Sequence, residues 1–135
     1  MDKEKNKPRQ ILVADDDPAI LRQVKTILEE EGFAAITARD GKEAYKLMQS
    51  EEVFAAAIFD IVMPHIEGGD LVQYMQSERR LMKIPVIIMT AEQNLRVTSK
   101  SFSAGAVAFL PKPFTDSQFK TTLKMFVKYP ERDEN

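Results

Sequence analysis

The sequence predicts an α/β domain, a doubly wound parallel sheet of five strands with five helices spread over its two faces. Three observations lead there. Short β-branched and aliphatic runs alternate with segments of helical period along the chain. The run Val53-Phe54-Ala55-Ala56-Ala57-Ile58-Phe59 has no polar alternation, as in a strand covered on both faces. The 135 residues, 44% of them hydrophobic, amount to one domain that buries roughly two-thirds of its unfolded surface, so a core forms without staples.

Taken in order, residues 1–9 are charged and polar and read as a flexible leader, with the domain expected over 10–128 and a tail or linker start over 129–135. Ile11–Ala14 is the first strand. Asp17 then Pro18 is an N-cap followed by proline at the first helical position. Ile20, Val24, Ile27 and Leu28 share one face of that helix, and Gly32 stops it. Phe33–Ala38 is the second strand, toward a sheet edge. Asp40 with Glu43 has capping-box spacing ahead of Ala44, Leu47 and Met48. The third strand spans Val53–Phe59, and a loop follows over Ile61–Gly68. Gly68-Gly69 supplies a turn and the start of a helix near Gly69–Ser77. Val86–Met89 is the fourth strand, a helix near Gln93–Ala104 stops at Gly105, and Ala106–Leu110 is the fifth strand. Thr115 with Gln118 is a second capping box, and Phe119, Leu123, Phe126 and Val127 form the core face of the last helix. From Tyr129 onward the chain is polar and is expected to fray. The seven methionines are expected to fill gaps in the core.

Composition removes several classes of function. With no cysteine there is no disulfide framework, thiolate metal site or Cys nucleophile, which fits a reducing cytoplasm. The 19 basic and 21 acidic residues leave a net charge of −2 and no basic stripe for nucleic acid. Arg79-Arg80 with Lys83 reads as a short solvated loop cluster. No apolar run reaches the ~20 residues that span a bilayer, and Met1–Gln10 lacks the pattern of a signal peptide. The expectation is a cytoplasmic protein with no direct nucleic-acid or membrane contact.

The chemistry sits where strands end. An ionisable carboxylate, Asp60, closes the third apolar run, a costly position unless a partner or metal waits there. The first strand runs into Asp15, Asp16 and Asp17, the fourth into the Thr90 hydroxyl, and the fifth ends near Lys112. In open parallel sheets ligands collect outside the carboxyl ends of the strands. The convergence of these groups follows from the fold rather than from their spacing. Together they can hold a divalent cation and a phosphoryl group. Read singly, the acids are an acidic loop with a helix cap at Asp17, and Lys112 is a solvated lysine stiffened between Pro111 and Pro113. His65 reads as an exposed loop residue.

Four strings, in order and each after a predicted strand, resemble the receiver domain of bacterial response regulators. They are Ile11-Leu12-Val13-Ala14-Asp15-Asp16-Asp17-Pro18, Phe59-Asp60-Ile61-Val62-Met63-Pro64, Val86-Ile87-Ile88-Met89-Thr90-Ala91 and Leu110-Pro111-Lys112-Pro113-Phe114. The resemblance spans Gln10 to Val127 and implies the flavodoxin-like strand order 2-1-3-4-5. It implies that Asp60 is the phosphorylated aspartate, that Asp16 ligates Mg2+ (or Mn2+) directly with Asp15 assisting through water, and that the Val62 carbonyl completes the protein's share of the shell. It implies that Thr90 and the Ala91 amide bind the phosphoryl oxygens, that Lys112 pairs with them, and that Phe109 is the switch aromatic. Lys112–Pro113 is a candidate cis peptide. The implied partners are a histidine kinase or histidine phosphotransfer protein as donor, and an effector that reads the fourth helix, fifth strand and fifth helix. The implied assembly is a monomer or a weak phosphorylation-dependent dimer. The domain is then a signalling module, not an enzyme, beyond catalysing its own phosphotransfer and slow autodephosphorylation. Val62 and Glu92 stand at the positions that tune phosphoryl loss in the family. A valine cannot position an attacking water, so a longer phosphoryl lifetime is expected than in a Val62→Asn variant.

Other functions fit less well. An aspartyl-phosphate phosphatase of the dehalogenase type matches the Asp15/Asp17 spacing but lacks room for its cap and extra strands. A flavin carrier needs a Ser/Thr/Gly-rich phosphate loop where this chain has three acids. A pseudo-receiver would have lost the acceptor or the lysine.

Overall fold

Which face each strand residue meets is decided by what packs above and below a parallel sheet. The structure, a computed structural model, describes residues 9–93 and 95–130. The elements are β1 (Arg9–Ala14), α1 (Pro18–Glu30), β2 (Phe33–Ala38), α2 (Gly41–Gln49), β3 (Phe54–Asp60), α3 (Gly68–Ser77), β4 (Val86–Thr90), α4 (Leu95–Ala104), β5 (Ala108–Pro111) and α5 (Asp116–Phe126). The strands pair in the order β2-β1-β3-β4-β5, all parallel. That is the expected fold, and β2 lies at an edge as its pattern indicated.

Two cores sandwich the sheet. Ile11 and Val13 of β1, Ala56 and Ile58 of β3, and Ile87 and Met89 of β4 point toward α1 and α5. Their alternating neighbours Leu12, Ala14, Ala57, Phe59, Val86 and Ile88 point the other way, into a cluster with Met48, Leu71 and Met75. Over these residues β1, β3 and β4 are buried on both faces, which is why the sequence lacks polar alternation there.

Local capping signals operate as expected. Asp17 accepts from the Ala19 N–H at 2.9 Å, with Pro18 opening α1. Thr115 and Gln118 form a reciprocal capping box at α5. At α2 only half of the box forms. Asp40 accepts from the Glu43 N–H at 2.8 Å, but the Glu43 carboxylate turns back to Arg39. Gly32 takes a φ of +92° after α1, a left-handed conformation suited to glycine.

Several boundaries and exposures differ from expectation. Arg9 belongs to β1 rather than to the leader, whose residues 1–8 lie outside the described residues. Val53 is 79% exposed and precedes β3, because the strand's covered stretch begins only where Phe54 pairs opposite Gln10. Ala106 and Val107 precede β5, with Val107 exposed. Phe126 is 38% exposed at the last residue of α5, while the following Val127 turns in to the core. Met48, Met63, Met75 and Met89 are buried, whereas Met82 and Met125 are exposed, so the gap-filling role holds for only some of the methionines. Arg80 is no free loop residue. Its guanidinium donates to the carbonyls of Met48 and Glu52 and so closes the end of α2. Tyr129 does not fray. Its hydroxyl donates to Glu31 at 2.9 Å and its ring meets Phe33 edge-on at 5.2 Å. Residues 131–135 of the expected tail lie outside the described residues.

Candidate functional site

The parallel sheet sends β1, β3, β4 and β5 to the same rim, and each ends on or runs directly into a polar residue. β1 leads into Asp15, which is fully buried, and then into exposed Asp16. β3 closes on Asp60 and β4 on Thr90, which are 7% and 6% exposed. Beyond β5, Lys112 is tied to β4 by its own N–H, which donates to the Thr90 carbonyl at 2.9 Å. The Lys112–Pro113 peptide is cis, as its family pattern led one to expect.

Carboxylate oxygens of Asp15, Asp16 and Asp60 all lie within 4.8 Å of one another. The Lys112 ammonium bridges two of them, at 2.6 Å from Asp15 and 3.1 Å from Asp60. Asp15 has both oxygens engaged, the other accepting from the Asp17 N–H at 2.9 Å. Asp16 is the member of the set turned to solvent. Burial, and then the neighbouring Asp15 charge, push the Asp60 pKa up, and they outweigh the opposing pull of Lys112. For Lys112, burial pulls the pKa down. The hydrogen bond to Asp15 and the charges of both carboxylates outweigh that, so its net shift is upward. The site is anionic overall and only partly neutralised by its lysine. Its donors are all hard oxygens, without histidine or thiolate, a set suited to Mg2+ or Mn2+ rather than zinc.

Around this centre Thr90, Ala91 and Val62 fall at the same rim. The Thr90 oxygen accepts from the Glu92 N–H at 2.9 Å, so Thr90 is turned along its own loop here. Ala91 follows it and is exposed. The Val62 N–H points back to Asp60 at 3.4 Å, and the Val62 side chain is 53% exposed beside the site. His65 is exposed, in a left-handed conformation at φ +72°. Phe109 stands apart from the acids, on β5, half-buried and stacked on Phe102 of α4 with ring centroids 4.2 Å apart.

Two contributors were not read from the sequence as part of the site. A Cβ on Gly68 would collide with the Asp60 carbonyl, so this glycine lets α3 start directly against the acceptor strand. A Cβ on Gly41 would collide with the Ile66 carbonyl in the loop after Asp60. The sequence signal was only a glycine in a turn, and neither approach is visible without the tertiary structure.

The comparisons with known proteins agree with this fold. The family model of the response regulator receiver domain matches residues 11–124. Response regulator GtcR of Aneurinibacillus migulanus is 36% identical over 104 residues, 77% of this chain and 41% of that protein. Response regulator MprA of Mycolicibacterium vanbaalenii is 28% identical over 127 residues, 94% of this chain and 54% of that protein. The chain therefore spans about half the length of these relatives. Among solved structures, a CheY-like response regulator receiver domain protein from Methanospirillum hungatei JF-1 aligns with a TM-score of 0.81 and 32% identity, over 88% of this chain and 93% of that one. The chemotaxis response regulator CheY4 of Vibrio cholerae aligns with a TM-score of 0.81 and 27% identity, over 88% and 98%. Strand order, the sequence of rim motifs and the match across residues 11–124 converge, and the chain belongs to the response regulator receiver domains of two-component signalling.

Proposed function

We propose that Asp60 is the phosphoacceptor and that its phosphorylation switches a partner-binding surface. The observation that carries this reading is the Lys112 ammonium lying 2.6 Å from Asp15 and 3.1 Å from Asp60, in a pocket whose three acids crowd within 4.8 Å. Asp16, Asp60 and the Val62 carbonyl would hold Mg2+ (or Mn2+), with Asp15 assisting through water. When bound, the cation neutralises the acids and the charge that gathers on the phosphoryl oxygens.

The chain's own residues do the rest. The Asp60 carboxylate forms a P–O bond as the P–N bond of a donor phosphohistidine breaks. The electron pair of that bond returns to the imidazole, which takes up a proton. Phosphoryl transfer depends mainly on positioning and charge neutralisation, and Lys112 supplies a fixed cation for both. Thr90 then leaves the Glu92 amide and, with the Ala91 amide, binds the phosphoryl oxygens. Phe109 turns inward into the space vacated. Inverting a 1:99 equilibrium takes about 5.5 kcal/mol. Two or three charge-assisted hydrogen bonds at roughly 1.5–3 kcal/mol each suffice.

The donor is a histidine kinase or a histidine phosphotransfer protein, and the effector reads α4, β5 and α5. The functional unit is residues 10–128 extended by Arg9 of β1 and the docked Tyr129, in a cytoplasmic protein that is a monomer or a weak phosphorylation-dependent dimer. Among the described residues, no helix is long and apolar enough to cross a membrane. Autodephosphorylation is slow because Val62 cannot orient water.

The test is exposure to phosphoramidate with Mg2+, followed by mass spectrometry of the acid-quenched protein. The parent gains one phosphoryl group at residue 60 and the Asp60→Asn protein gains none. A parent protein without acyl phosphate at a saturating donor concentration would overturn the reading.

A further inference from the structure

Ser101 is fully buried, and its hydroxyl is the one buried side-chain polar group without a hydrogen-bond partner among the described residues. It lies where α4 meets α3. A Cβ on Gly69 of α3 would come within 3.3 Å of the Ser101 Oγ, so the helices approach closely there. The next residue, Phe102, is 53% exposed yet stacks on Phe109 of β5 at 4.2 Å. Neighbouring residues therefore act on α4 with opposite sign. A buried hydroxyl without a partner disfavours the observed placement of the helix. The aromatic pair favours it.

We propose that Ser101 and Phe102 form an opposed pair that sets how readily α4 leaves its resting place, and thereby tunes the response of the Asp60 site. This rests on the reading of Phe109 as the switch residue. The contacts run in sequence from the site. Gly68 abuts the Asp60 carbonyl, Gly69 abuts Ser101, and Phe102 stacks on Phe109, which pairs with Ile88 two residues before Thr90. Displacement of α4 away from Gly69 lets the Ser101 hydroxyl reach water and removes its penalty. The inward turn of Phe109 breaks the ring pair and forfeits its attraction. Ser101 thus lowers the cost of switching and Phe102 raises it, and the response depends on the difference.

The test is a titration with beryllofluoride in the presence of Mg2+. It reads apparent affinity by calorimetry and amide NMR shifts across β4, α4 and β5 in the parent, Ser101→Ala, Phe102→Ala and Phe102→Leu proteins. Ser101→Ala removes only a hydroxyl and is expected to weaken apparent affinity by about 5-fold or more. Phe102→Ala is expected to tighten it by roughly 2- to 10-fold. Phe102→Leu keeps apolar bulk without the ring and should fall between Phe102→Ala and the parent, which guards against a fold lost to the larger truncation. Opposite shifts at adjacent positions are not produced by a general loss of stability. If the parent responds while the Ser101 and Phe102 variants shift with the same sign or not at all, this inference fails and the Asp60 reading stands. A parent that does not respond sinks both.

Discussion

Helices α4 and α5 pack on opposite faces of β5 and are built differently. α5 starts in a reciprocal capping box and drives Phe119 and Leu123 into the core beside Ala108 and Leu110. α4 meets Phe109 on the other face through Phe102, which remains half in water, and carries the unbonded hydroxyl of Ser101. The cap of α5 and its buried Phe119 and Leu123 agree with the fold, even though Phe126 stays partly exposed, whereas α4 holds two conflicting choices side by side. Agreement across levels gives a deep single minimum, and conflict leaves neighbouring placements close in energy. The contrast teaches where a receiver domain can store stability and where it can afford to move.

The largest test of that contrast truncates one apolar side chain on each helix. Leu123→Ala truncates a fully buried side chain and should cost about 2–5 kcal/mol in urea unfolding. Phe102→Ala, half-exposed, should cost less than Leu123→Ala, with about 0.5–1.5 kcal/mol from the ring pair added to the small contribution of its covered half. Equal losses would erase the distinction between scaffold and switch.

Cation binding sharpens it. Mg2+ at 100 times its dissociation constant should stabilise the protein by about 2.7 kcal/mol in thermal melts, and Asp16→Ala should remove most of that gain. Amide exchange in α4 should change more than in α5 when the ion is added.

Capping gives a smaller effect. Thr115→Ala removes the acceptor of the Gln118 N–H and should cost about 0.5–2 kcal/mol. A change below the precision of the unfolding curve would mean that α5 is held by its buried face alone.

The smallest effect is tied to pH. Burial, and then the hydrogen bond to Glu31, raise the Tyr129 phenol above its ordinary value of 10.0. The folded state thus holds that proton more tightly than the unfolded state. Its contribution is fully present below about pH 10 and is lost as pH rises above it. Tyr129→Phe should cost about 1 kcal/mol near neutrality and flatten the decline of stability between pH 10 and 11 relative to the parent. An unchanged alkaline slope would mean that the tail contact does not survive in solution.

Much of the fold was legible because its signals are local. Asp17-Pro18, Thr115 with Gln118, and Gly32 act within a turn of their own residue, so sequence spacing alone reveals them. Strand limits were less legible. Val53 continues the apolar run of β3 by character, but its exposure depends on whether another element covers it. Of the site, the acids, Thr90 and Lys112 were readable as strand-end residues. Their mutual distances were not, since Lys112 lies 97 residues from Asp15 along the chain.

Alternating periods and the apolar run before Asp60 were enough, by themselves, to determine the parallel sheet and the chemical identity of its rim. Whatever joins distant parts was decided by the tertiary structure alone. That includes the lysine bridge between Asp15 and Asp60, the glycines that let α2 and α3 close on the acceptor loop, Arg80 on the end of α2, Tyr129 on Glu31, and the opposed pair on α4. The reason is physical. A backbone preference is a property of a few consecutive residues, whereas burial, close approach and the pairing of charges depend on which surfaces the folded chain brings together.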